Sequence, residues 1–211
     1  MVQLHCVPTE VMASGEIFEW LRDLKQEGLI KYFGASVESV DEALLILDQP
    51  GLTSVQVIFN IFRQKPIDVL FEKAKARRIG IIVRLPLASG LLAGKFTIES
   101  TFCKEDHRSY NKDGTVFNVG ETFAGLPFPK GVELADKIKP MVPEGVTMAQ
   151  FSQRWILDHE AVSTVITGAS NPSQVASNAD VSGIPALQGD IHKQLAAFYQ
   201  TSVHEHIRGV Y

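Results

Sequence analysis

Gly80-Ile81-Ile82-Val83-Arg84-Leu85-Pro86-Leu87-Ala88-Ser89-Gly90-Leu91-Leu92-Ala93-Gly94-Lys95 decides how this chain is read. It opens as a short apolar, β-branched run after a glycine, the pattern of a strand buried on both faces of a parallel sheet. Leu85-Pro86-Leu87 ends it, because proline donates nothing to a ladder. Ala88-Ser89-Gly90 then offers small side chains and a permissive backbone. Small residues just past the carboxyl end of a parallel strand let a ligand approach the main chain. An ordinary βα turn reads the same way.

The unit repeats on both sides. Upstream, Val2 to Val7 reads as a strand stopped at Pro8, an unusual opening for a folded domain. Glu16 to Glu27 reads as a helix with Ile17, Leu21 and Leu24 on one face and Gly28 as its stop. Ile30 to Ser36 is a second strand, Asp41 to Leu47 a short helix, Ser54 to Phe59 a third strand, and Val69 to Arg78 a helix ending in basic residues. Downstream, Gly131 to Met141 and Thr147 to Asp158 read as helices. Ser163 to Thr167 is the last strand, and Asn171-Pro172 opens a helix running to Asp180. A final helix spans Asp190 to about Val203. Strand starts recur at intervals of about 25 residues, each followed by a helix, which is serial βα architecture with a parallel sheet. Right-handed crossovers leave an open doubly wound sheet or a (β/α) barrel. No G-x-G-x-x-G follows any strand, which weighs against the dinucleotide-type open sheet.

Segment 96–130 breaks the rhythm. It holds Gly, Asn, Asp, Pro and several aromatics with little periodicity, the profile of a functional or mobile long loop.

The 211 residues are enough for one sizeable core, and 45% of them are apolar. A net charge of −4 carries no electrostatic footprint for nucleic acid. No apolar run reaches bilayer length, and the segment at Met1 lacks the charged start of a signal peptide. Cys6 and Cys103 show no metal spacing and read as free thiols in a reducing compartment. The expectation is a cytoplasmic protein with no membrane partner. His204 and His206 have no third ligand at useful spacing and read as surface. Met12, Met141 and Met148 read as core filler.

Chemistry concentrates at strand ends. Gly168-Ala169-Ser170-Asn171 would present amides and a hydroxyl at a helix N-terminus, which suits phosphate. His5, Ser36 and Gln56 are polar residues on neighbouring apolar strands. Arg84 is a fourth, and a buried arginine needs a ligand or an acidic partner. Each has a plain alternative as a hydrogen-bonded core residue.

Gln3-Leu4-His5, Tyr32 to Ser36, Gln56 to Asn60, Leu85 to Leu92 and Ile166 to Pro172 resemble, in order, segments of the aldo-keto reductases. The resemblance covers essentially the whole chain. It implies a (β/α)8 TIM-type barrel, partial here, with about the last five βα units in one N-terminally incomplete domain over residues 1–211. It also implies reduction of an aldehyde or ketone by a nicotinamide cofactor, NADP with NAD possible.

By position, His5 would hydrogen-bond the substrate carbonyl. Ser36 and Gln56 would hold the nicotinamide carboxamide, with Arg84 beside the ring. Leu87, Ala88 and Gly90 would line the pyrophosphate. Gly168, Ala169, Ser170 and Gln174 would follow the adenosine phosphate, with Asn178 near the adenine. Segment 96–130 would fold over the cofactor. Val37 stands where the family usually has Asn, Arg84 where an aromatic often stacks, and Gln174 where many members place an arginine for the 2′-phosphate. Losing one charge-assisted bond there costs on the order of 1.5–3 kcal/mol.

The family's Asp, Tyr and Lys precede the histidine strand, and this chain begins on that strand. An alternative expectation is therefore a non-catalytic cofactor-binding or interaction fragment. Open barrel edges would favour self-association or a partner chain.

Overall fold

The computed structural model describes residues 1–211. Five parallel strands form one sheet in sequence order: β1 (Val2–His5), β2 (Phe33–Ser36), β3 (Leu52–Ile58), β4 (Gly80–Arg84) and β5 (Val162–Val165). Sequential order with helical connections is the barrel arrangement, and β5 does not pair with β1, so the sheet stays open. This is the partial (β/α) barrel that the resemblance implies, one of the two architectures the spacing leaves open. Ser36 is fully buried and β4 is buried along Ile81 to Arg84. The two edge strands are wetter: Val2, His5, Ser163 and Thr164 are exposed.

The connections are α1 (Thr9–Ser14), α2 (Glu16–Gln26), α3 (Val40–Ile46), α4 (Lys65–Val69), α5 (Phe71–Ala76), α6 (His107–Tyr110), α7 (Phe128–Ile138), α8 (Met148–Leu157), α9 (Pro172–Asp180) and α10 (Gly189–Phe198). Ser39 with Glu42, and Thr147 with Gln150, form reciprocal capping boxes that start α3 and α8. Asn171 caps α9 by accepting from the Gln174 amide, with Pro172 in the first turn, as the sequence indicates.

Several boundaries differ from the sequence reading. β1 stops at His5 because Cys6 turns left-handed at φ +48°. α1 is too short for helical periodicity to register, and only Met12 in it is buried. The helix expected over Val69–Arg78 begins earlier, at Lys65, because Pro66 suits a first turn, and it divides at Leu70. Its end is a Schellman-type closure: Arg78 is left-handed and the Ile79 amide reaches back to the Ala74 carbonyl. The last helix leaves the α form at Phe198, continues as a π turn over Tyr199–Val203, and ends in a 3₁₀ turn over His204–His206. Met12 and Met148 are buried and Met141 packs partly against the core.

The core lies between the sheet and the helices. Trp155, 1% exposed, stacks on Phe59 with ring centroids 5.0 Å apart, and His159 meets both rings edge-on. Asp158 ties this corner together, accepting from Arg154, His192 and the Leu187 amide.

Candidate functional site

Parallel strands bring all their carboxyl ends to one side of the sheet, and that rim carries most of the chain's unusual backbone. Left-handed φ is costly for a residue with a Cβ. Cys6 after β1, Leu85, Ala88 and Ser89 after β4, and Phe123 and Ala124 in the long loop all adopt it, and Arg78 alone does so away from the rim. Asn60, buried at the end of β3, holds this geometry. Its side chain donates to the Leu85 carbonyl at 2.9 Å and accepts from the Phe62 amide at 2.9 Å.

The register lines up three of the candidate residues. His5 is the lateral neighbour of Ser36, and Ser36 of Gln56. The Ser36 hydroxyl donates to the Gln56 carboxamide oxygen at 3.4 Å. Ser36 is buried, Gln56 half-buried and His5 exposed. Leu87, Ala88 and Gly90 share one tight turn, in which the Gly90 amide bonds the Leu87 carbonyl. Gly90 has φ +100°, and an added Cβ would meet the Phe96 ring at 2.9 Å, so only glycine fits.

Gly168, Ala169 and Ser170 are exposed at the start of α9. There the Gln174 carboxamide oxygen accepts from the Ser170 amide at 2.7 Å and from its hydroxyl at 3.1 Å. A neutral oxygen thus sits where donors for an anionic oxygen converge. Asn178 donates to the Gly168 carbonyl and accepts from Gln153. Ala169 and Asn178 also line a cleft of about 430 Å³ between β5 and α9.

Arg84 does have an acidic partner. It is 8% exposed, pairs through Nη1 with Glu121, and donates through Nη2 to the Val37 carbonyl at 2.8 Å. Val37 therefore contributes its carbonyl to the arginine. Sequence reading could not reveal Glu121 because it lies in the aperiodic segment.

That segment is well anchored. Phe96, Phe102, Phe123 and Phe128 pack as an aromatic cluster with centroids 4.9–6.0 Å apart. Buried Asn111 accepts from the Val116 and Phe117 amides and donates to Thr122. Ser89 accepts from the Phe123 amide and donates to the Glu121 carbonyl, joining the loop to the β4 turn.

The C-terminus straps the loop down. Arg208 donates to the Gly125 carbonyl at 2.9 Å and to the Lys112 carbonyl at 2.8 Å. Arg63, 1% exposed, donates to the carbonyls of Ala124 and Val210, with its guanidinium 4.6 Å from the centre of the Tyr211 ring. The Tyr211 hydroxyl accepts from the Lys65 amide, and burial beside Tyr199 pushes its pKa upward.

A cation missed in the sequence also stands at the rim. Arg108 Nη1 lies 3.8 Å from where a Cβ on Gly90 would be, stacked on Phe102 and paired with Asp106. Its bond to Arg108 holds the Asp106 carboxyl down at about 2, from an ordinary 3.8. Ionised Asp106 therefore stabilises the loop at neutral pH, and that contribution is lost as pH falls from about 4 through about 2. The side chain is 18% exposed, so the loss is at most roughly 2 kcal/mol. Protection factors over residues 97–125, which divide out the intrinsic pH dependence of amide exchange, should fall across that window. Asp106→Asn should show the lower protection throughout, with no pH dependence. Wild-type protection factors unchanged between pH 4 and 2 would contradict this anchor.

Residues 1–200 match the model of the aldo/keto reductase family. The chain is 25% identical over 183 residues to Aldo-keto reductase YhdN of Bacillus subtilis (strain 168), covering 87% of this chain and 53% of that protein. It is 25% identical over 179 residues to the NADH-specific methylglyoxal reductase of Escherichia coli (strain K12), covering 84% and 52%. The structure superposes on glycerol dehydrogenase AKR11B4 from Gluconobacter oxydans with a TM-score of 0.75 and 23% identity, covering all of this chain and 61% of that one. The chain thus spans about half the length of these curated relatives.

Proposed function

The chain belongs to the aldo/keto reductase family, and we propose that it forms the cofactor-holding part of an NAD(P)H-dependent reductase of aldehydes or ketones. The observation that carries this reading is the single rim. The His5, Ser36 and Gln56 row, the Leu87–Gly90 turn with its left-handed Ala88, Ser89 and Gly90, and the Gly168–Asn178 segment all sit at the carboxyl ends of parallel strands.

The residues suit a nicotinamide dinucleotide. Ser36 and Gln56 offer a hydroxyl and a carboxamide, the complement of a carboxamide. The Leu87–Gly90 turn has no side chain at its tightest point, with Arg108 close by for a pyrophosphate. The donors that converge on Gln174 suit an adenosine phosphate. NADP is the first assignment by resemblance to the family; Gln174 carries no charge for a 2′-phosphate, so NAD is compatible with the same site.

When bound, the cofactor supplies a hydride. His5 would donate a hydrogen bond to the substrate carbonyl oxygen, orienting it and stabilising the charge that develops there. The backbone turn would fix the cofactor, and the strapped loop would exclude water. The alkoxide left by hydride transfer would take its proton from solvent, because no tyrosine of this chain is placed to donate it: Tyr211 and Tyr199 bond each other beside Arg63, and Tyr32 and Tyr110 are exposed.

The test is reduction of 4-nitrobenzaldehyde with NADPH. His5→Ala should lower kcat/KM about 100-fold while cofactor affinity stays unchanged. Equal activity in that variant would remove His5 from the chemistry. A second reading, a non-catalytic cofactor-binding or interaction module, is favoured by the two unpaired edge strands, β1 and β5. It predicts saturable NADPH binding without turnover, and self-association or pairing with another chain through those edges.

A further inference from the structure

We infer that Arg84 is an anchor for a carboxylate on the carbonyl substrate, and that Glu121 of the strapped loop holds that place until such a ligand replaces it. This deepens the proposed function and rests on it.

Three observations lead here. Arg84 is a cation in the rim beside the histidine strand, with Nη2 3.8 Å from the sulfur of Cys6, the residue after His5. An anion held on Arg84 would therefore lie next to the group expected to orient the carbonyl. Second, the guanidinium is underused. Glu121 engages only Nη1, Val37 takes Nη2, and Nε is buried with no acceptor at all. A buried unpaired donor is costly, and an arginine fork binds a free carboxylate best with two parallel bonds.

Third, Glu121 is an exchangeable occupant. It comes from the loop, as the last residue of the 3₁₀ turn Val119–Glu121 that precedes a second turn over Phe123–Gly125, rather than from the sheet. Its carboxylate also has the Glu38 carboxylate within 4.8 Å. That like-charge neighbour weakens its hold on Arg84. A ligand carboxylate free to choose its orientation could take Nη1 and the second Nη2 proton end-on, in two parallel bonds, while Glu121 turns to solvent. The ligand class is thus a small aldehyde or ketone bearing a carboxylate a few atoms from its carbonyl.

Calorimetric titration of the chain with 4-formylbenzoate and with its neutral isostere 4-formylbenzamide separates charge from shape. NADPH binding is measured in the same samples. The wild type should prefer the carboxylate at least tenfold. Glu121→Gln, which removes the competitor, should tighten 4-formylbenzoate several-fold further and leave 4-formylbenzamide unchanged. Arg84→Met should reduce the preference to about one. Equal binding of the two probes by the wild type, preference surviving in Arg84→Met, or weaker 4-formylbenzoate binding in Glu121→Gln would each overturn the inference. Glu121→Gln also keeps the test decisive if Arg84→Met does not fold. Any of these results with NADPH binding intact fails the anion site alone, whereas loss of NADPH binding by folded wild type fails the proposed function.

Discussion

Arg63→Ala should cost about 3–5 kcal/mol of unfolding free energy, measured by urea denaturation. Arg63 is a surface-type residue at 1% exposure, and the strap is built around it. Truncation leaves the Ala124 and Val210 carbonyls without a donor and removes the cation beneath the Tyr211 ring. The buried Ala124 carbonyl left unpaired costs about 1–3 kcal/mol, the water-accessible Val210 carbonyl less, and the emptied volume adds a cavity term. Gly120 packs directly on the guanidinium, so the turn carrying Glu121 loses its floor as well. Arg63→Lys should recover only part of the loss, because a lysine keeps the charge without the planar fork. Loss of less than about 1 kcal/mol in Arg63→Ala would mean that the C-terminal contacts are incidental to the fold.

Trp155→Ala should lose a comparable 3–5 kcal/mol, by a different route. The indole fills the space between Phe59 and His159. The variant should also change the pH response. Burial holds the His159 pKa below its ordinary 6.5, so the folded chain keeps that ring neutral. The unfolded chain binds the proton more readily, and wild-type stability therefore falls as pH drops below about 6.5. Opening the site to water relaxes that depression, so the stability of Trp155→Ala should depend less steeply on pH between 7 and 5. An equally steep dependence in both proteins would place the acid sensitivity elsewhere.

Local signals carried much of the architecture. Gly80 to Arg84 announces a buried strand through its own composition. Asn171-Pro172 announces a helix start, because capping is an interaction of near neighbours. The His5, Ser36 and Gln56 row was legible for a similar reason: parallel strands of known polarity carry polar residues to the same end. The loop was not legible, because its order comes from partners remote in sequence. Arg63 meets Tyr211, Arg208 meets Gly125, and Glu121 meets Arg84. None of these pairings leaves a periodicity. Arg108 was passed over for the same reason, since its value lies in standing beside Gly90. The short helix Thr9–Ser14 failed on length, as six residues hold too few turns to show a face.

The central claim is that this rim binds a nicotinamide dinucleotide. The most direct measurement is a fluorescence titration of NADPH into the folded chain, with circular dichroism confirming the fold and adenosine 2′,5′-bisphosphate as competitor. Saturable binding at one site is expected, displaced by the competitor and weakened at least tenfold in Gly90→Val, whose side chain would fill the turn against Phe96. A folded chain that leaves NADPH emission unchanged, or binding that Gly90→Val leaves intact, would contradict the account.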